Sequence, residues 1–257
     1  MDQTHDRYRF YDEHDYYKKL RTKGHPFRTK YLSEIDEWKN KYLSKVFPYG
    51  ASITAILEVG CGTGDLISRF PTDVPLNKRY GIDVSPLNIE FAKREHPEVN
   101  FFVGTFEEFL TGEGKSIEMD IVILSDILEH VDDDVELLRM AGCYAKYVLV
   151  NIPMEKCWGT RKRNYGFEDA SGHLGAYNLE DAQNLIADAG LRIVDFNVKH
   201  YCKEAMYRRF LKEKLFKDVP AYKLLMLSIP KYVVLFFVDN ILFKWCRSSN
   251  FFGLLSK

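Results

Sequence analysis

The most constraining feature of this chain is a β-rich run, ITAILEV at residues 53–59, that ends on three alternate glycines, Gly60, Gly62 and Gly64. Branched aliphatic side chains favour a buried strand, and glycines at its end permit a tight turn with close approach of the backbone to a ligand. A helix that opens after such a turn presents free N–H groups. The spacing excludes two common phosphate sites. A dinucleotide fingerprint needs its third glycine at position 65, which is Asp65, and no Gly-Lys-Ser/Thr follows to form a phosphate-cradling loop. With Glu58 before the glycines and Asp65 after them, the loop suits a cationic ligand better than a pyrophosphate.

Downstream, short apolar runs alternate with amphipathic ones. Residues 77–83, 99–103, 120–125, 144–152 and 192–199 read as strands. Residues 85–95, 134–142 and 179–190 read as helices, the first with Ser85 as N-cap and Pro86 behind it, the last capped by Asn178 and ended by Gly190. Such alternation predicts an α/β fold with a doubly wound, mostly parallel sheet. The ends differ. Helix is expected over 31–47, and over 203–248 with breaks near Pro220 and Pro230, before a last strand at 250–256.

The net charge of −1 conceals an asymmetry. Residues 1–50 carry 11 Lys/Arg against 8 Asp/Glu and residues 201–257 carry 11 against 4, which leaves the middle at −11. An acidic middle argues against a nucleic-acid groove, because phosphates need clustered cations. The basic, aromatic C-terminal stretch suits a membrane surface, an anionic substrate or an acidic partner. Residues 224–243 have the length of a membrane helix, but Pro230, Lys231, Asp239 and Asn240 interrupt them. The N-terminus lacks the apolar core of a signal peptide. Cysteines 61, 143, 157, 202 and 246 form no CxxC pair, so neither a disulfide framework nor a metal cluster is expected, and a reducing, cytoplasmic location is the default.

Asp83 ends the second expected strand, 19 residues after Gly64, where a carboxylate can accept a pair of ribose hydroxyls. ILEVGCGTGDL, YGIDVS, DIVILSDILEHV and YVLVNIP resemble, in order, the motifs of class I S-adenosylmethionine-dependent methyltransferases. The resemblance covers roughly residues 50–200. It is nearest to small-molecule enzymes similar to the ubiquinone and menaquinone biosynthesis methyltransferases. It implies a Rossmann-like seven-stranded sheet with an antiparallel last strand, and S-adenosylmethionine as cofactor. The implied organisation is one domain over 1–257: a helical N-terminal cover (1–50), a cofactor-binding core (51–202), a helical insertion (203–248) and a final strand (249–257). The resemblance places Glu58, Gly60, Cys61, Gly62 and Gly64 along the methionine and ribose, Asp83 on the ribose and Val84 beside the adenine. It puts Thr105 and Phe106 at the adenine edge, Phe106 acting by its ring or its backbone, and the Ser125 carbonyl on the cofactor's amino group. Many relatives carry Asp where this chain has Thr105.

Methyl transfer from a sulfonium requires alignment and exclusion of water, and a hydroxyl acceptor also needs a base. His173, in SGHLGAYN, is the preferred base, with His130, in DILEHV, as the second. Each has a purely structural alternative: His130 bracing the following helix, His173 ordering its loop. Asp126 and Glu129 read as solvated acids beside that helix. Trp158, Arg161, Lys162 and Arg163 form either an anion-recognition cluster for the acceptor or a solvated loop. The aromatic stretch from Tyr8 to Tyr17 forms either a lid or a packed helix. Cys61 reads as a packing residue. The expected partner is a small-molecule acceptor (anionic, sugar, quinone-like or lipid-linked), with no nucleic acid. Segment 203–248 is a candidate membrane contact or homodimer interface. The competing functions are N-methyl transfer and a non-catalytic cofactor-binding module.

Overall fold

The computed structural model describes residues 10–157, 160, 162–166, 169, 171–200 and 249–257. The expected helices of 203–248, together with Tyr8, Trp158 and Arg161, lie outside these residues. Seven strands form one sheet: β1 (Ile56–Val59), β2 (Arg79–Asp83), β3 (Asn100–Val103), β4 (Met119–Ser125), β5 (Ala145–Met154), β6 (Arg192–His200) and β7 (Ser249–Ser256). Their order is β3-β2-β1-β4-β5-β7-β6. The pairs from β3 through β5 are parallel, and β7 runs antiparallel to both of its neighbours. The doubly wound sheet with an antiparallel last strand is therefore the one expected.

All seven positions of β4 are buried, so MDIVILS lacks the alternation of a half-exposed strand. Each of its fully buried Ile, Val and Leu side chains contributes about 1.5–3 kcal/mol of burial free energy. The apolar core forms two layers, one on each face of the sheet. Chain order reverses between β1 and β4, and the crevice outside the carboxyl ends of strands at such a point is where open α/β sheets bind ligands.

The helices are α1 (Asp15–Leu20), α2 (Pro26–Tyr31), α3 (Glu37–Leu43), α4 (Asp65–Arg69), α5 (Pro86–Glu95), α6 (Phe106–Thr111), α7 (Asp134–Tyr144) and α8 (Leu179–Asp188). α5, α7 and α8 lie close to their expected bounds because their caps are local: Ser85, Asp133 and Asn178 each accept a bond from a first-turn N–H. The N-terminal helix differs. It starts at Pro26, where the His25 ring accepts the Phe27 N–H, and a π-helical turn (Leu32–Asp36) separates α2 from α3. A 3-10 turn (Ser44–Val46) ends it ahead of Pro48. β1 is also shorter than expected, because the Asp120 carboxylate takes the N–H groups of Thr54 and Ala55. Buried Arg79 orders the link from α4 to β2 through bonds to the carbonyls of Ile67, Ser68, Phe70, Thr72 and Val74. Among the described residues no helix is long and apolar enough to cross a membrane.

Candidate active site

A cavity of about 910 Å³ opens at the carboxyl end of the sheet, within the size range of small-molecule sites. Its floor is the turn after β1. The N–H groups of Gly60 and Cys61 both donate to the Ile82 carbonyl, at 2.8 and 2.9 Å, which folds the loop over β2. Gly60 has φ 74°, and a Cβ there would lie 2.5 Å from Ile127 Cδ1. Glu58 is buried, and its Oε2 accepts the Ile67 N–H of α4 at 3.1 Å. Burial pushes its carboxyl up to about 8, against the opposing pull of Lys39. A cation beside Glu58 would restore its charge. Cys61 is buried and its thiol is pushed up, so it is a packing residue, as expected.

Asp83 sits at the end of β2. Its Oδ2 accepts the Gly62 N–H at 2.8 Å, while its Oδ1 accepts Ser85 N–H at 2.9 Å and Asn88 Nδ2 at 3.2 Å. Burial raises its carboxyl and these bonds pull it back. Three of roughly four acceptor sites are therefore occupied. The acceptor site left open is on Oδ2, which has one partner where Oδ1 has two. Val84, Thr105, Phe106 and Ser125 also line the cavity. Thr105 caps α6: its hydroxyl accepts Glu108 N–H while Glu108 Oε2 accepts the Thr105 N–H, a reciprocal box. The Phe106 ring is buried edge-on against Tyr144, so it packs into the core and leaves its backbone to the cavity rim.

The acid after the glycines has a different partner from the one its position suggested. Asp65 is buried; its Oδ1 lies 2.7 Å from Arg28 of α2 and 3.3 Å from His96 Nε2, and its Oδ2 accepts the Thr63 hydroxyl at 2.7 Å. Burial raises its carboxyl, but His96, Thr63 and Arg28 outweigh that and hold it below the usual range. Its charge docks the N-terminal cover onto the loop.

That cover forms the facing wall, with Phe10, Tyr11, Tyr16, Tyr17 and Tyr31 lining the cavity. Arg21 fixes it by donating to the Tyr11 carbonyl at 2.9 Å and to Asn88 Oδ1 at 2.7 Å, and Ser85 Oγ donates to Asp12. Lys39 Nζ pairs with Asp126 and donates to the Tyr31 hydroxyl. Asp126 stands at φ 51°, a left-handed conformation held by this pair and by a 2.7 Å bond from Asn151.

Two expectations need correcting here. Asp126 is ion-paired to a buried lysine, and Glu129 is 2% exposed, so neither is a solvated acid. The turn Leu128–His130 explains why: Tyr177 OH donates to the Leu128 carbonyl and Leu174 N–H to the Glu129 carbonyl, which closes the 174–177 segment over the Glu129 side chain. Burial and the nearby Asp126 push the Glu129 carboxyl far above its ordinary value. Neither of its oxygens has a hydrogen-bond partner among the described residues.

His130 and His173 meet edge to face with ring centroids 4.7 Å apart. His130 Nδ1 lies 3.1 Å from the Gly172 carbonyl and His173 Nδ1 lies 2.9 Å from Glu155 Oε2. A carbonyl and a carboxylate only accept, so each Nδ1 carries a proton and each Nε2 is the nitrogen left for another partner. Burial and the neighbouring His173 lower His130 to about 4. Burial raises Glu155, but His173 and Arg163 outweigh it and leave the carboxyl below its ordinary value. Arg163 grips Asp169 with both arms at 2.7 Å and also Glu155, so its guanidinium is spent inside this loop and not on an acceptor's anion. Lys162 is exposed. Tyr11, Tyr16 and Tyr17 of the wall belong to the aromatic stretch read as a lid or a packed helix, whereas Glu155, Lys39 and Arg28 were not singled out from sequence. Thr105-x-x-Glu108 was a readable capping signal; the others carried none, since their partners are 18 to 87 positions away.

Residues 57–145 match the sequence profile of a family described as a methyltransferase domain. A curated relative, the malonyl-[acyl-carrier protein] O-methyltransferase of Halalkalibacterium halodurans, is 25% identical over 95 residues, 36% of this chain and 35% of that protein. The chain thus spans about a third of the curated relative it matches. Among solved structures, magnesium protoporphyrin IX methyltransferase from Synechocystis PCC 6803, with S-adenosylhomocysteine bound, aligns with TM-score 0.57 at 17% identity, covering 77% of this chain and 93% of that one. Phosphoethanolamine N-methyltransferase 2 of Haemonchus contortus, in complex with S-adenosylmethionine, aligns with TM-score 0.59 at 16% identity, covering 98% and 60%. At these identities the likeness is one of fold.

Proposed function

We propose that the chain is a class I S-adenosylmethionine-dependent methyltransferase that methylates a hydroxyl oxygen of a small-molecule acceptor, a reading supported by the methyltransferase-domain profile over residues 57–145 and by the shared fold. The observation that carries this reading is that one cavity joins the glycine loop, Glu58 and Asp83 to His130 and His173, whose Nδ1 atoms are engaged elsewhere. The loop fits the cofactor. Gly60 and Gly62 line the cavity with backbone alone, and the buried Glu58 suits the positive charge of a sulfonium and an amino group.

When bound, the cofactor supplies a methyl group on a leaving group that is already activated. In this reading Glu58, the glycine loop and Asp83 hold it, Thr105 and the Phe106 backbone border the adenine, and the Ser125 carbonyl meets the amino group. Tyr11, Tyr16 and Tyr17 exclude water, and the N-terminal cover acts as the lid. An acceptor oxygen held beside His173 would take the methyl group as its bond to sulfur breaks, the bonding pair staying on the sulfur. The hydroxyl proton passes to His173 Nε2, and Glu155 at Nδ1 stabilises the resulting imidazolium. His130, turned by the Gly172 carbonyl, positions the same oxygen. We read residues 1–257 as one methyltransferase unit with this site at its centre.

Calorimetry with S-adenosylhomocysteine, followed by turnover of hydroxylated acceptors, tests the proposal. Wild-type protein binds S-adenosylhomocysteine, and His173→Ala lowers turnover roughly 10²–10⁴-fold with that binding intact. Unchanged turnover removes the base assignment. Absence of S-adenosylhomocysteine binding leaves a non-catalytic scaffold, and a product methylated on nitrogen replaces the oxygen acceptor.

A further inference from the structure

We infer that Glu129, His130 and His173 form a binding site for one divalent transition-metal ion, with open positions for an oxygen of the acceptor. One donor atom from each of the three side chains lies within 4.8 Å of the others, and His130 Nε2 stands 3.9 Å from Glu129 Oε1. Tetrahedral ligands at bonds near 2.1 Å are separated by about 3.4 Å. Small side-chain rotations therefore close the set around an ion.

Three independent features point the same way. Glu129 is almost wholly buried, lines the cavity, and has two oxygens without a hydrogen-bond partner among the described residues. A buried carboxylate in that state lacks a counter-group, and a cation is the group that fits. Both imidazoles are also set in the tautomer that a metal requires. Each donates Nδ1–H, to the Gly172 carbonyl in one case and to the Glu155 carboxylate in the other, which is the outer-shell pattern of ligating histidines. The mounts are rigid as well. Arg163 clamps Glu155 and Asp169, and Asp169 accepts the His173 N–H.

The donor set selects the ion. Two imidazoles and one carboxylate suit zinc, iron, cobalt or nickel better than magnesium or calcium, which prefer all-oxygen shells. Three protein ligands leave at least one position open towards the cavity. The cation part of the inference stands on these residues alone. Its role towards an acceptor oxygen rests on the proposed function, with His130 and His173 then acting on the hydroxyl through the ion.

The test uses tag-free full-length protein, stripped with a chelator and titrated with Co²⁺ by visible absorption and calorimetry, with Zn²⁺ as competitor. One Co²⁺ per chain is expected, displaced by Zn²⁺. His130→Ala, His173→Ala and Glu129→Gln should each weaken it by roughly a hundredfold, and Glu155→Gln by roughly 10–100-fold. S-adenosylhomocysteine binding should persist in all four, which shows that they fold. Should a variant fail to fold, anomalous scattering from a Co²⁺-soaked wild-type crystal decides, with a peak expected among the three side chains. Wild-type protein that binds S-adenosylhomocysteine but not Co²⁺ or Zn²⁺ would overturn the inference and leave the methyltransferase reading standing. Equal Co²⁺ affinity in wild type and the His130→Ala/His173→Ala double variant would overturn it too. Loss of S-adenosylhomocysteine binding by the wild type strikes only at the methyltransferase reading, and the Co²⁺ result then still decides the cation site.

Discussion

Replacing Arg28 by Met tests the idea that the charge after the glycines anchors the N-terminal cover. The Arg28 and Asp65 side chains are 6% and 3% exposed and 2.7 Å apart, so their attraction is little screened by solvent. Breaking a buried pair by removing one partner costs about 3–5 kcal/mol, because the other charge is stranded. Asp65 retains Thr63 Oγ1 at 2.7 Å and His96 at 3.3 Å, which puts the expected loss near the lower end, about 3 kcal/mol. Methionine keeps the apolar stem against Phe91, over which the guanidinium now sits at 4.7 Å, so lost packing adds little. For a chain of this size the loss corresponds to a fall in melting temperature of roughly 6–12 °C. Urea unfolding and thermal melts of wild type, Arg28→Met, Asp65→Asn and the double variant form a cycle. The double variant should be less destabilised than the sum of the singles by about 2 kcal/mol, since neither charge is then stranded. A loss below about 1 kcal/mol in Arg28→Met, or strict additivity, would refute the anchoring argument.

Other outcomes follow from the same geometry. Gly62→Ala should cost about 1–2 kcal/mol for its left-handed backbone alone, because a Cβ there meets nothing within 4 Å. Gly64→Ala should cost more, about 2–5 kcal/mol, because its Cβ would lie 2.5 Å from the buried Phe101 ring as well; denaturant melts that reverse the order would contradict this. The Asp120 carboxyl is buried, which raises it, but Lys146, Thr54 and Ala55 outweigh that and hold it at about 2 instead of 3.8. Its stabilisation is thus complete above pH 3.8 and fades as pH falls towards 2, so the stability gap between wild type and Asp120→Asn should shrink by about 2 kcal/mol over that window. A gap independent of pH would count against it. Glu58 stands at about 8 through burial, so a cationic ligand that lowers it should release protons near pH 7.5. Calorimetry of S-adenosylhomocysteine in buffers of different ionisation enthalpy should show that release in wild type and not in Glu58→Gln.

Much of the architecture was legible because its signals are local. A cap, a proline at the first turn or a run of branched residues acts within a few positions, and α5, α7, α8 and most of the strands fell close to where those signals put them. β1 was overestimated because Asp120, 65 residues away, captures the N–H groups before it. The N-terminal helix starts earlier than expected, at Pro26, and a π-helical turn (Leu32–Asp36) interrupts its period. Site residues divide in the same way. Glu58, Gly60, Gly62, Asp83 and Ser125 follow from being at strand ends and line the cavity, whereas Gly64 packs against the Phe101 ring and does not.

By itself the sequence determined the order of strands and helices and the glycine turn, and it excluded the spacings of two common phosphate sites. Only the tertiary structure decided which charges the site keeps. It paired Asp65 with Arg28 and Asp126 with Lys39, spent Arg163 on Glu155 and Asp169, and left Glu129 buried beside two imidazoles. The physical reason is range. Backbone preferences are set by neighbours along the chain, whereas desolvation and ion pairing depend on which distant side chains the fold brings within about 4 Å.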